Sequence, residues 1–382
     1  MPPIAAVNER LYRALTEVAR GMKLRGQDPG LELAGRFGVR RFIERHLAGG
    51  DVPEALAEPP KAGRWLERGA RLRKEARAVS RSLTEAGIRH CFFKGIALLG
   101  RFYRLDERQL ADIDLIIDLD HYNDGLAVIH GLGFSEFGQR DAWVPAARRP
   151  GVTMHRADLD EGDDEADVLI DLHWGLESLA TVLPDEELIL PPAVWAGVEQ
   201  ERGLPVVPDE YHAALVLHHL VRHDMLHIRG LLDFILLWQA IPNQGGQLMA
   251  DLARTLGVER ALRALGRMMV DELLLYPLRG VPLSAQDWRG RAAMRRLRLT
   301  PWLAWAARNV TRRASHVTVT RSLLWRRFLL ADAPRTGQLM RDLVAPPREY
   351  LEWRWPDATT DATAWGKHVT SALRSSFPHR SH

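Results

Sequence analysis

Apolar positions recur at three- and four-residue intervals over Asn8–Arg20 and Leu31–Leu47, the period of a helix with one buried face. Gly49-Gly50-Asp51-Val52-Pro53 breaks that pattern. Trp65–Ala86 resumes it as a long, arginine-rich amphipathic helix with Gly87 placed as a C-terminal cap. The texture then changes. Arg89–Phe93 reads as a short strand ending at Lys94-Gly95, Ile96–Tyr103 as a helix, and Ala111–Asp118 as a second strand. His121–Leu132 reads as a helix and Gly133–Gln139 as a third strand. Val152–Asp158 and Ala166–Trp174 form a strand pair around an acidic turn at 160–165. After Pro191-Pro192 the helical period returns over Asp209–His227, Gly230–Ile241, Gln247–Leu256 and Glu259–Leu275, the pattern of a bundle.

These patterns predict an α+β protein in which a small mixed sheet is flanked by helices. An N-terminal helical region spans 1–87, an α/β core 88–190, a C-terminal helical domain 191–356 and a flexible tail 357–382. A length of 382 residues allows two or three such units. The single cysteine, Cys91, excludes an intramolecular disulfide framework and any cysteine-based zinc site. Apolar runs are cut by Arg, Asp or His well short of a membrane span, and Glu9 interrupts the N-terminus before a secretory signal could form. The expectation is a cytoplasmic protein without a membrane partner. Lys plus Arg is 52 against 49 for Asp plus Glu, a net charge of +3 that is no strong nucleic-acid signature.

The densest chemistry lies in Asp112-Ile113-Asp114-Leu115-Ile116-Ile117. Side chains alternate along a strand, so Ile113, Leu115 and Ile117 face a core while Asp112 and Asp114 share the opposite face. Neighbouring carboxylates repel unless a cation lies between them, and Mg²⁺ or Mn²⁺ is bound by carboxylates of this kind together with substrate phosphates. The bland alternative is an edge strand with a polar face. Val168–Trp174 adds Asp171 within an apolar run, with His173 two residues on and hence on the same face. Asp112, Asp114 and Asp171 could together hold two metal ions for phosphoryl transfer, with Asp171 also taking a proton from the nucleophile. Upstream, Lys94-Gly95 stands at a strand-to-helix junction suited to phosphate, and Arg108 lies four residues before Asp112. Lys94 could instead neutralise Asp112 or Asp114.

The run Phe93-Lys94-Gly95, Tyr103, Arg108 and Asp112-Ile113-Asp114, followed by Ile170-Asp171-Leu172-His173-Trp174, resembles the uncharacterised nucleotidyltransferase family of the DNA polymerase β superfamily. The resemblance is strongest over 88–240. It implies a polymerase-β-like core, an NTP substrate, catalysis and metal binding by Asp112, Asp114 and Asp171, and nucleotide contacts from Lys94, Gly95, Arg108 and Arg229. The superfamily's usual Gly-Ser is replaced here by Lys94-Gly95.

A second cluster follows at 217–227, where His219, His223 and His227 stand four apart on one helix face. Zinc binding and packing between helices are both open readings of that spacing. The resemblance implies a third, in which His219, His223, Arg229 and Asp233 face the acidic strands and, with His173, contact substrate. The leading expectation is an enzyme that moves an NMP from an NTP to an acceptor, which could be a small molecule, a peptide, a protein or an RNA end. A non-catalytic nucleotide-binding scaffold and a toxin modifying tRNA or protein are the alternatives.

Overall fold

The computed structural model describes residues 4–24, 28–47, 62–136, 151–156, 168–175, 190–222, 228–284 and 288–311, with short pieces at 348, 360 and 362–367. Helix α1 (Ile4–Gly21) is followed by α2 (Pro29–Arg36) and α3 (Arg40–Leu47), and α4 (Ala62–Glu85) leads into the sheet. The pattern over Leu31–Leu47 predicts one helix, but two form. Gly38, at φ 70°, turns the chain between them, a conformation glycine adopts without a Cβ penalty. Asp28 starts α2 by accepting a hydrogen bond from the Leu31 amide at 3.0 Å. Gly87, at φ 71°, stands just past the end of α4.

Strand β1 (His90–Phe92), helix α5 (Lys94–Leu98), strand β2 (Ile113–Ile117) and helix α6 (Tyr122–Gly131) come next. They are followed by β3 (Ser135–Glu136), β4 (Gly151–Arg156), β5 (Val168–His173), α7 (Pro192–Ala196), β6 (Glu199–Glu201) and β7 (Leu204–Val206). The strands make one seven-stranded sheet in the order β3-β4-β5-β2-β1-β7-β6. β2 runs parallel to β5 and antiparallel to β1, while β1 runs parallel to β7. The fold is therefore mixed α+β, as the patterning predicts. Helix α5 begins at Lys94, two residues before the predicted Ile96, and stops at Leu98. Leu99 is extended and Gly100, at φ 81°, reverses the chain. The acidic turn at 160–165 lies outside the described residues.

The hairpin of β6 and β7 is unforeseen. Each strand has three residues and Pro205 interrupts one of them, so neither carries a legible alternation. It nevertheless extends the sheet past the Pro191-Pro192 break. Helices α8 (Asp209–Arg222), α9 (Ile228–Ala240), α10 (Gly246–Thr255) and α11 (Glu259–Asp271) follow, with α12 (Trp288–Arg296) and α13 (Leu299–Thr311). α8 packs on α9 and α10, and α13 returns to α1. All five residues of β2 are buried, so the acidic face of this strand looks into the protein rather than into solvent. Among the described residues, no helix is long and apolar enough to cross a membrane.

Candidate metal and nucleotide site

The pairing of two parallel strands brings the acids together. Asp114 of β2 stands opposite Asp171 of β5 in the sheet register, and His173 shares the Asp171 face. One potential ligand atom from each of Asp114, Asp171 and His173 lies within 4.8 Å of the others. Asp112 sits just before β2, half-buried, outside that group of three but lining the same cleft. The cleft has a volume of about 240 Å³. Its strand side presents Asp112, Asp114 and Asp171 with Lys94 and Gly95 from the start of α5, and its helical side His219, Arg229 and Asp233 with Arg108 from the loop before β2. His173 packs edge-on against Phe93 at 5.6 Å between ring centroids. His223 lies outside the described residues.

Asp114 is 4% exposed, and burial pushes its carboxyl up to about 7. The Lys94 ammonium, 2.5 Å from Asp114 Oδ1, pulls against that shift, while Asp112 and Asp171 push with it. Lys94 thus occupies the neutralising position, on Asp114. Across the sheet, the Thr153 hydroxyl of β4 donates to Asp171 Oδ1 at 2.8 Å.

Lys94 adopts φ 53°, in the left-handed region that side chains with a Cβ rarely enter. Its backbone N–H donates to Nε2 of His212 at 2.7 Å. His212, in the first turns of α8, is buried; burial first, then Arg101 and Arg108, depress its pKa to about 3. An imidazole accepting at Nε2 is neutral, with its proton on Nδ1. Sequence reasoning misses His212, because a lone histidine in an apolar helix carries no signal of a partner 118 residues away.

The glycine of Lys94-Gly95 makes room for protein rather than for open solvent. A Cβ there would meet Arg108 Nη1 at 2.0 Å and Leu110 Cδ2 at 2.6 Å. Arg108 is held end to end by Asp233, with Nε donating to Oδ1 at 3.0 Å and Nη2 to Oδ2 at 2.6 Å. The Tyr103 hydroxyl donates to the same carboxylate at 2.8 Å. Burial opposes the Arg108 charge, but Asp233 outweighs it and raises the guanidinium pKa above its ordinary value. Arg229 donates from Nη1 to the Gln109 carbonyl at 2.8 Å. Its pKa is lowered by burial and by Arg108, against support from Asp233 and Asp112.

The segment carrying Arg108 is braced from the N-terminal side. Arg41 and Arg45 of α3 form ion pairs with Asp106 and Glu107. Arg68 of α4 donates to the carbonyls of Leu110 at 3.0 Å and Ala111 at 2.7 Å. Gly38 faces Gln109 and Arg229 so closely that a Cβ would sit 3.4 Å from Gln109 Oε1 and 3.8 Å from Arg229 Cδ.

A family model described as an uncharacterised nucleotidyltransferase matches residues 48–274. The chain belongs to this family. The matched span exceeds half of the chain and carries every residue of both cleft walls. No match is found among curated proteins. Membership supports a transferase acting on nucleotides, and the Asp114–Asp171–His173 group is a possible place for a metal ion.

Proposed function

We propose that this protein is a divalent-metal-dependent nucleotidyltransferase with a polymerase-β-like core, moving an NMP from an NTP to an acceptor hydroxyl in the cytoplasm. The register that sets Asp114 beside Asp171, in a cleft that also holds Asp112, carries this reading. The donor set fits a hard divalent cation such as Mg²⁺ or Mn²⁺. Three carboxylates share the cleft, and burial with the two neighbouring acids pushes Asp114 toward its neutral form against the pull of Lys94. Asp112, Asp114 and Asp171 would hold the metal, with His173 in reach of the same space. When bound, such ions neutralise phosphate charge and activate the nucleophile.

The remaining steps belong to side chains. On nucleotide entry Lys94 exchanges Asp114 for the triphosphate, and Arg229 binds phosphate from the opposite wall. Arg108, fixed by Asp233, supplies positive charge from an unmoving position. The acceptor oxygen attacks the α-phosphorus, the bond to the bridging oxygen breaks, pyrophosphate leaves, and Asp171 takes the hydroxyl proton. Thr153 orients that carboxylate. His219, which lines the cleft, faces the acceptor.

Calorimetry with each NTP, with and without Mg²⁺ or Mn²⁺, tests the reading without knowledge of the acceptor. Divalent-dependent NTP affinity is the expected result, and its absence for all four nucleotides would overturn the metal assignment. Incubation with labelled NTPs and size-fractionated cell extract then separates an enzyme, which transfers label, from a nucleotide-binding scaffold, which does not. Toxicity on expression, relieved by Asp112→Asn, would mark the acceptor as an essential tRNA or protein.

A further inference from the structure

A second charged cluster lies at the opposite end of α5 from Lys94. Gly100, at φ 81°, turns the chain there, and two arginines crowd it from different elements. A Cβ on Gly100 would lie 2.9 Å from Nη1 of Arg73 in α4 and 3.3 Å from Nη1 of Arg202. Arg77, one helical turn beyond Arg73, donates from Nη2 to the Arg202 carbonyl at 3.0 Å. Its Nε would stand 3.6 Å from a Cβ on Gly203. Three guanidinium groups therefore converge on two glycine turns. Arg73 feels this crowding, its pKa lowered by burial and then by the Arg77 and Arg202 charges.

Nearby carboxylates are engaged elsewhere. Asp209 takes both ends of the Arg101 guanidinium, at 2.6 and 2.5 Å, and Glu201 also pairs with Arg101. Glu75 pairs with Arg156 at 2.7 Å. Among the described residues, Arg73, Arg77 and Arg202 have no carboxylate partner. Like charges gathered without a counter-ion repel one another, and an arrangement of this kind is stabilised by an anion.

The turn between β6 and β7 gives an independent indication. It consists of Arg202 and Gly203, at φ 52° and 83°. Two-residue hairpin turns with both positions at positive φ favour asparagine, aspartate or glycine at the first. Arginine there is conformationally costly, and backbone outliers of this kind gather at functional sites.

We propose that Arg73, Arg77 and Arg202 form an anion site, separate from the carboxylate cleft, that binds a phosphate group of a ligand. Gly100 and Gly203 leave space for the guanidiniums to close on it. Planar forked donors match the oxygens of phosphate, which three of them can surround. Gly100 is six residues beyond Lys94, which at the helical rise places the site on the order of 10 Å along α5. The assignment does not depend on nucleotidyl transfer.

Titration calorimetry with inorganic phosphate, and separately with a short single-stranded RNA, in chelator-containing buffer, tests the site on the full-length protein. Arg202→Asn removes the cation and installs a residue the turn prefers. It should weaken binding by at least about tenfold while raising Tm. Arg73→Gln should weaken binding similarly, whereas Arg10→Gln, an equal loss of charge at an exposed position of α1, should leave it unchanged. RNA bound about tenfold or more tightly than phosphate, with the same losses, identifies a strand as the source; equal affinity identifies a small phosphorylated molecule. Unchanged binding in both Arg202→Asn and Arg73→Gln would overturn the site. So would an equal loss in Arg10→Gln, or a lower Tm in Arg202→Asn, which would assign the arginine to the turn alone.

Discussion

The two walls of the cleft manage charge in opposite ways. On the helical wall, Arg108 and Asp233 satisfy one another through two hydrogen bonds, and Tyr103 supplies a third. On the strand wall, Asp112, Asp114 and Asp171 share the cleft, and Lys94 lies on Asp114. Buried ion pairs become costly when one partner is removed, because the other charge is left without compensation. Clustered carboxylates behave the other way, since removing one relieves repulsion. The Arg108–Asp233 pair is thus a support with its charges closed on themselves, and the strand wall is a binding surface on which acids outnumber bases.

The largest expected effect tests the strand wall. Asp114→Asn should reduce divalent-dependent NTP affinity by about 10³-fold or more, on the scale of a lost metal ligand or electrostatic contact in such a site. Its folding stability should stay within about 1 kcal/mol of the parent, because relieved repulsion offsets the lost Lys94 contact. Calorimetry and thermal denaturation on the same preparations check both halves. A strong loss of stability would erase the contrast between the walls.

Next comes the helical wall. Asp233→Ala should cost about 3–5 kcal/mol of stability, the scale for stranding one member of a buried pair. Equilibrium denaturation measures it. A cost below about 1 kcal/mol would mean that Arg108 finds other compensation and that the wall is no support.

The smallest effect concerns the hydrogen bond from the Lys94 amide to His212. His212 is held neutral with its pKa near 3, below the value of about 6.5 for an unfolded histidine. Its contribution to stability is therefore complete above about pH 6.5 and declines as pH falls toward 3, reaching a loss of about 2 kcal/mol near pH 5. His212→Gln, which can still accept from the Lys94 amide, should flatten that part of the stability profile. Unfolding curves between pH 7 and pH 5 with the same slope in both proteins would count against a neutral buried imidazole.

The strand wall was legible because its signal is local. Alternation within Asp112–Ile117 and Val168–His173 exposes acids in apolar runs, and the register that joins them follows from the strands' own hydrophobic pattern. The helical wall depends on distant partners. Asp233 lies 125 residues from Arg108, and the sequence reading assigns one to phosphate and the other to substrate without pairing them. Gly95 was legible as a close approach but not as to what approaches: the group against it is Arg108. His212 and the β6–β7 hairpin left no trace, one being a single side chain and the other two strands of three residues. Helix ends at Gly38 and Leu98 shifted for a related reason. Tertiary contacts around Gln109, Arg229 and Tyr103, rather than local periodicity, decide where those turns fall.

The bracing of the Arg108 segment by α3 bears on how this protein can vary and be divided. The family match begins at residue 48, after α3 has ended. A fragment starting there would inherit every acid of the cleft. It would lose the arginine partners of Asp106 and Glu107 and the glycine turn lying against Gln109 and Arg229. Glu107 is 2% exposed, so in such a fragment a buried carboxylate would lose its Arg45 partner. The N-terminal helices are therefore no detachable appendage. Divergence in them is a route by which evolution could retune the nucleotide wall while leaving its acids untouched.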